Sequence, residues 1–222
     1  MVDPLISLIA ASIAFVGTHF AMSHPLRASM VRLLGDGGFM IAYSLVSAAT
    51  MACMYFAFVA TPAGAPLWGG YGDGVWIVAS IVTLLALVLF AGSLIGNPAL
   101  PAPGAEKAAL QVPSGVFKVT RHPMMWGFGL WAFAHLIAAP TLRTVVVALA
   151  IGVLALVGAR LQDRKKELLM GDAWRQWEAN TSYWPRLGRI FSVGIVPWIG
   201  GIAIWLGATW WHTMDAGVWR WV

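Results

Sequence analysis

The feature that most constrains this chain is a series of apolar stretches, each long enough, or nearly long enough, to cross a bilayer. A crossing helix needs roughly 20 apolar residues. Six segments meet or approach that length: 4–23, 38–60, 75–96, 124–140, 141–161 and 191–211. Only 10% of the 222 residues are charged and 59% are hydrophobic, whereas a soluble domain carries about 25% charged residues. The expectation is an all-α, polytopic membrane helix bundle of six transmembrane helices, one domain over 1–222.

The segments between the spans are read from their composition. Pro140 ends the fourth span, so the fourth and fifth form a tight hairpin near Thr141-Leu142-Arg143. The stretch 97–119 holds Pro98, Pro101, Pro103 and Pro113 and is expected to be irregular. The charged stretch 162–180 is expected to form a short surface helix, with Trp174 and Trp177 at the membrane interface. Trp210, Trp211, Trp219 and Trp221 suit an interfacial belt at the far end of the last span. No internal repeat is present. The single cysteine, Cys53, permits no internal disulfide and no thiolate cluster. The start, MVDPLISLIA, has no basic n-region and reads as a first span rather than a cleaved signal.

A net charge of +5 could point to nucleic acid, but the basic residues sit in loops between spans. Twelve of them (Arg27, Arg32, Lys107, Lys118, Arg121, Arg160, Arg164, Lys165, Lys166, Arg175, Arg186 and Arg189) fall on one side; Arg143 and Arg220 fall on the other. The positive-inside rule then places the three basic loops in the cytoplasm and both termini outside it. The expected setting is a membrane crossed several times, with membrane lipid as surroundings and no nucleic-acid partner.

Ionisable groups inside spans are costly and are functional candidates by default. His19 lies late in the first span and His135 well inside the fourth; His24 and His122 lie at the cytoplasmic ends of the same two helices, and His212 follows the last span. Five residues from His19 to His24 turn a helix by about 140°, and thirteen from His122 to His135 leave the same offset. Each helix can therefore offer one imidazole to a common site. Around His135 that site would be walled by Phe128, Trp131, Ala132 and Ala139. Two imidazoles in an apolar setting without cysteine suit haem iron better than a hard cation. The alternative, a hydrogen bond to a neighbouring helix, stays open for both. His24 reads as a helix-end hydrogen-bonding group and His212 as interfacial.

Joint ligation by His19 and His135 has a geometric requirement. The two histidines differ in depth by about 12 Å if His24 and His122 sit level. The offset is absorbed if the first helix continues past Pro25 through Leu26–Leu34, with Pro25 as a kink. If it stops at Ser23, His24 is the replacement ligand.

Arg121-His122-Pro123 opens the fourth span. Pro123 suits the first helical position. Arg121 beside free backbone N–H groups could take an anion, hold the polar 163–185 segment, or meet lipid headgroups.

The ordered blocks HFAMSHPLR (19–27), GGFMIAYSLVS (37–47), TRHPMMWGFGLWAFAHLIA (120–138) and DRKKELLMGDAWRQWEANTSYWP (163–185) resemble the NnrU family of bacterial membrane proteins. That resemblance implies a link to denitrification, in support of nitrite and nitric oxide reductase function. The same pattern is similar to zeta-carotene isomerase, a relative that holds haem b on two histidines and isomerises a carotenoid double bond. The likeness implies His19 and His135 as its iron ligands. Ala132 stands where that enzyme has a cysteine. Arg-His-Pro also resembles isoprenylcysteine and phospholipid methyltransferases, which implies S-adenosylmethionine at Arg121 and Glu167. Here Met124-Met125-Trp126 replaces their tyrosine and Lys166-Glu167 their paired glutamates.

Overall fold

The computed structural model describes residues 3–70, 72–212 and 216–221, all in helices, turns and connecting segments, with no strand among them. A helix satisfies its backbone hydrogen bonds internally, which lipid demands. Four helices are long and apolar enough to cross a membrane: α1 (Pro4–Ser23), α2 (Arg27–Ala60), α3 (Asp73–Gly92) and α6 (Leu142–Met170). Two shorter apolar helices, α5 (Pro123–Ala138) and α8 (Ile195–Trp211), pack beside them. Two short helices, α4 (Ala105–Ala109) and α7 (Asp172–Asn180), lie in the connections.

Local chemistry sets the helix ends. The Asp3 carboxylate accepts from the Leu5 N–H at 2.8 Å and Pro4 fills the first turn of α1. Thr141 caps α6, and Pro123 opens α5. The first helix stops at Ser23, and Arg27 starts a new one, so Pro25 is a terminator and not a kink. The second helix begins well before the expected residue 38. Gly35, at φ 71°, interrupts it, a backbone geometry that glycine adopts without strain. The proline-rich stretch 97–119 is not wholly irregular, since it holds α4 and a 3-10 turn at Gly115–Lys118.

The charged segment differs most from expectation. Helix α6 runs unbroken to Met170, Gly171 turns at φ 54°, and α7 folds back. Trp174 and Trp177, expected at the interface, are buried at 0% and 2% exposure. They pack with Val88 and Leu89 of α3, Val116, Phe117 and Ile190. An amphipathic nine-residue helix with both indoles on one face gains more by covering the end of the bundle than by lying in lipid headgroups.

Two ends of the bundle can be told apart. At one, Thr61 Oγ1 donates to the Pro4 carbonyl at 3.1 Å, Arg143 Nη1 donates to the Thr61 carbonyl at 3.0 Å, and Arg220 pairs with Asp73 at 2.7 Å. The other end carries the α1–α2 turn, the 97–119 connection and α7. Outward faces of the helices are apolar, with Ile13, Leu33, Ile41, Phe56 and Ile199 exposed, a surface that fits lipid better than water. Inside, glycines draw helices together: a Cβ at Gly201 would lie 2.6 Å from Val88 Cα, and one at Gly127 would lie 2.8 Å from the Ala86 carbonyl. These contacts fix α8 and α5 against α3.

Candidate functional site

The Arg-His-Pro junction builds an ion-pair cluster. Helix α5 needs its chain to enter from the 97–119 connection, and Thr120 and Arg121 pin that entry. The Arg121 N–H donates to the Ser182 carbonyl at 2.8 Å, and Thr120 Oγ1 donates to the Tyr183 carbonyl at 2.8 Å. The Arg121 guanidinium grips Asp163 of α6 through Nε at 2.9 Å and Nη2 at 2.7 Å, and reaches Glu178 of α7 at 3.2 Å. His122 Nε2 donates to Asp163 Oδ1 at 2.7 Å. The start of α5, α6 and α7 are thereby tied by one buried guanidinium. Burial, and the neighbouring Asp163 charge, push the Glu178 carboxyl above its ordinary value despite the opposing pull of Arg121.

A cavity of about 670 Å³ lies beside this cluster, between α1, α2, α5, α6 and the 99–105 connection. His19 lines it. Its Nδ1 donates to the Phe15 carbonyl at 2.7 Å, which fixes the tautomer and leaves Nε2 as a lone-pair nitrogen. Phe15 and Tyr43 flank the ring at 4.4 and 5.5 Å between centroids. The mouth is cationic, formed by His24, Arg27, Lys165 and Lys166. Arg27 reaches Asp36 only at 3.8 Å, and Lys165 has no carboxylate partner among the described residues. Burial and the Lys165 charge lower the His24 pKa. Lys166 Nζ donates to the Pro98 and Leu100 carbonyls at 3.0 and 3.4 Å, strapping that loop across the cavity.

A second cavity, of about 770 Å³, lies between α3, α5, α8 and the 3-10 turn Gly217–Trp221, at the opposite end of the bundle. His135, Phe128, Trp131 and Ala139 line it as expected, together with Trp76, Phe90 and Trp205. Ala132 does not; it is buried, facing Gly152 of α6. Because α5 stops at Ala138, His135 occupies its last turn and not its middle. His135 Nδ1 donates to the Trp131 carbonyl at 2.8 Å, and the Trp131 ring lies 4.0 Å from the imidazole at 33°. His212 lines the same cavity, its ring centroid 6.3 Å from that of His135.

His19 and His135 are therefore not brought together. They face different cavities at different ends, and Phe128 is the side chain common to both linings. The depth offset is not absorbed, because α1 ends at Ser23. The replacement, His24, shares the His19 cavity and not that of His135. A single haem cannot take both His19 and His135 as axial ligands in this arrangement. The His19 cavity alone does suit the group, with an imidazole lone pair, aromatic walls and cations for two carboxylates. Arg121 Nε and Nη2 are engaged by Asp163 and Glu178, and Glu167 pairs with Arg175 at 3.3 Å.

The expectation that Arg121 holds the polar 163–185 segment is met; Asp163, Glu178 and Tyr183 within it were not singled out from the sequence. Asp163 carried a signal: it is the first acidic residue after two long apolar spans.

Among known proteins, a family model described as NnrU protein matches residues 7–220. No curated protein and no solved structure matches the chain.

Proposed function

Given that the chain belongs to the NnrU family, we propose that it is a six-span protein of the bacterial inner membrane that holds haem b on His19. It serves either isomerisation or redox chemistry on an apolar substrate, or an accessory role in denitrification. The observation that carries this reading is the His19 imidazole, with Nδ1 anchored to Phe15 and its lone-pair nitrogen in a cavity whose mouth is cationic. Haem bound there would supply a redox-active, Lewis-acidic iron. The protein's own part is positional. Phe15 and the helix backbone orient the imidazole. Arg27 and Lys165 offer charge-assisted hydrogen bonds to two propionates, and the 97–104 loop, held by Lys166 and Gln162, keeps water from the apolar interior. His135 belongs to the neighbouring cavity, which admits the apolar substrate, with Phe128 between the two.

The test is an optical spectrum of the detergent-purified protein from haem-replete cells. A Soret band is expected in the wild type and in His212→Ala, and its loss in His19→Ala. Absence of the band in the wild type, or a band indifferent to His19→Ala, overturns the assignment.

A further inference from the structure

We infer that the His135 cavity binds a membrane hydroquinone, with a ring hydroxyl donating to His135 Nε2. The inference deepens the reading above, since it names the substrate class of the cavity assigned there to an apolar molecule. Three observations lead to it. The cavity, about 770 Å³, is in the range of small-molecule sites. Its walls combine flat aromatic rings (Trp76, Phe90, Trp131, Trp205) with the small residues Ala79, Ala86, Ala134 and Gly127, a lining suited to a flat apolar ring. Its polar groups are few; several are engaged, while the Trp76 indole N–H is buried without a partner. Thr83 Oγ1 accepts from Trp205 Nε1, Thr209 Oγ1 accepts from Trp219 Nε1, and Arg220 pairs with Asp73.

His135 is different. Its Nδ1–H is committed to the Trp131 carbonyl at 2.8 Å, and its other nitrogen has no partner among the described residues. In the neutral ring that nitrogen is an acceptor. A half-buried acceptor lining an apolar cavity is satisfied by a ligand that brings a donor. An aliphatic tail or a simple polyene has none, and an oxidised quinone offers only acceptor oxygens, which suit the Trp76 N–H but leave His135 unpaired. A hydroquinone brings a flat ring, a donating hydroxyl and an apolar tail for the lipid.

The full chain in detergent is titrated calorimetrically with three probes: a decyl-substituted dimethoxy-methyl-hydroquinone kept reduced, the same molecule oxidised, and its dimethyl ether. The reduced form is expected to bind about fivefold tighter than the other two, the size of one net hydrogen bond. His135→Ala should remove that preference, and His135→Gln, whose amide retains an acceptor, should recover part of it. His19→Ala should abolish the haem band and leave the preference intact. Equal binding of the hydroquinone and its ether, or a preference that survives His135→Ala, overturns the inference. A hydroquinone preference without any haem band sinks the haem reading alone.

Discussion

Arg121 and Asp163, 42 residues apart, form a buried bidentate ion pair, with side chains 10% and 9% exposed. His122 closes on the same carboxylate. This is the physical role of the Arg-His-Pro motif: its arginine and histidine lock the start of α5 to the end of the apolar part of α6, and its proline starts the helix.

Removing one partner of a buried pair leaves the other uncompensated, at a cost of about 3 kcal/mol. Arg121→Ala should lower stability by that order in thermal unfolding of the detergent-solubilised protein. Arg220→Ala breaks an exposed pair with Asp73 and should cost under about 1 kcal/mol. Similar losses from the two variants would contradict the assigned role.

Glu178 introduces a pH dependence of definite sign. Its carboxyl titrates above the ordinary value of 4.5, so the folded protein binds more protons than the unfolded chain in that window. Stability contributed by the protonated group is then lost as pH rises from about 4.5 through the folded value. Glu178→Gln should flatten this part of the stability-versus-pH curve relative to wild type. A variant curve parallel to wild type across that range would show that Glu178 is not shifted.

Close helix contacts make glycine substitutions informative. Gly201→Ala places a Cβ 2.6 Å from Val88 Cα, whereas Gly17 has nothing within 4 Å. Gly201→Ala should destabilise by roughly 1–3 kcal/mol, as overpacked sites do, while Gly17→Ala should be neutral or mildly stabilising. Unfolding midpoints for the two variants should separate in that order.

The loop strap can be cut. Lys166→Met removes the donor to the Pro98 and Leu100 carbonyls while keeping most of the side-chain volume. Amide exchange over 97–104 is expected to speed up, with little change in α3. Unchanged exchange in that loop would mean that Gln162, donating to the Ala99 carbonyl at 3.1 Å, holds it without help.

The proposed six-span topology, with both termini outside the cytoplasm, predicts the behaviour of reporter fusions. A C-terminal alkaline phosphatase should be active, and a fluorescent protein inserted near Gly171 should fold in the cytoplasm. The reverse pattern would invert the orientation drawn from the basic residues.

Much of the fold was legible in the chain. Apolar length marked every long helix, because a helix is the cheapest way to carry a backbone through hydrocarbon. Pro123 and Pro140 bracketed α5 because a pyrrolidine ring dictates where a helix begins or stops. The histidines were found because so few polar groups interrupt these stretches. Other features depend on partners remote in sequence. Trp174 and Trp177 have a composition suited to an interface, and only the pocket formed by Val88, Val116 and Phe117 draws them inside. Arg121 could have met a ligand, a lipid or a carboxylate. The choice fell to Asp163 and Glu178 once α6 continued to Met170 and α7 folded back.

By itself the sequence determined which segments are helical and apolar, and which few imidazoles and guanidiniums have to be accommodated among them, since both follow from the local cost of burying backbone and charge. Only the tertiary structure decided which of those groups meet. Helical spacing gives the face on which His19 and His135 lie, but not which neighbour covers that face. The packing of α1 on α2 and α6, and of α5 on α3, sends the two imidazoles into separate cavities and sets His135 beside His212 instead.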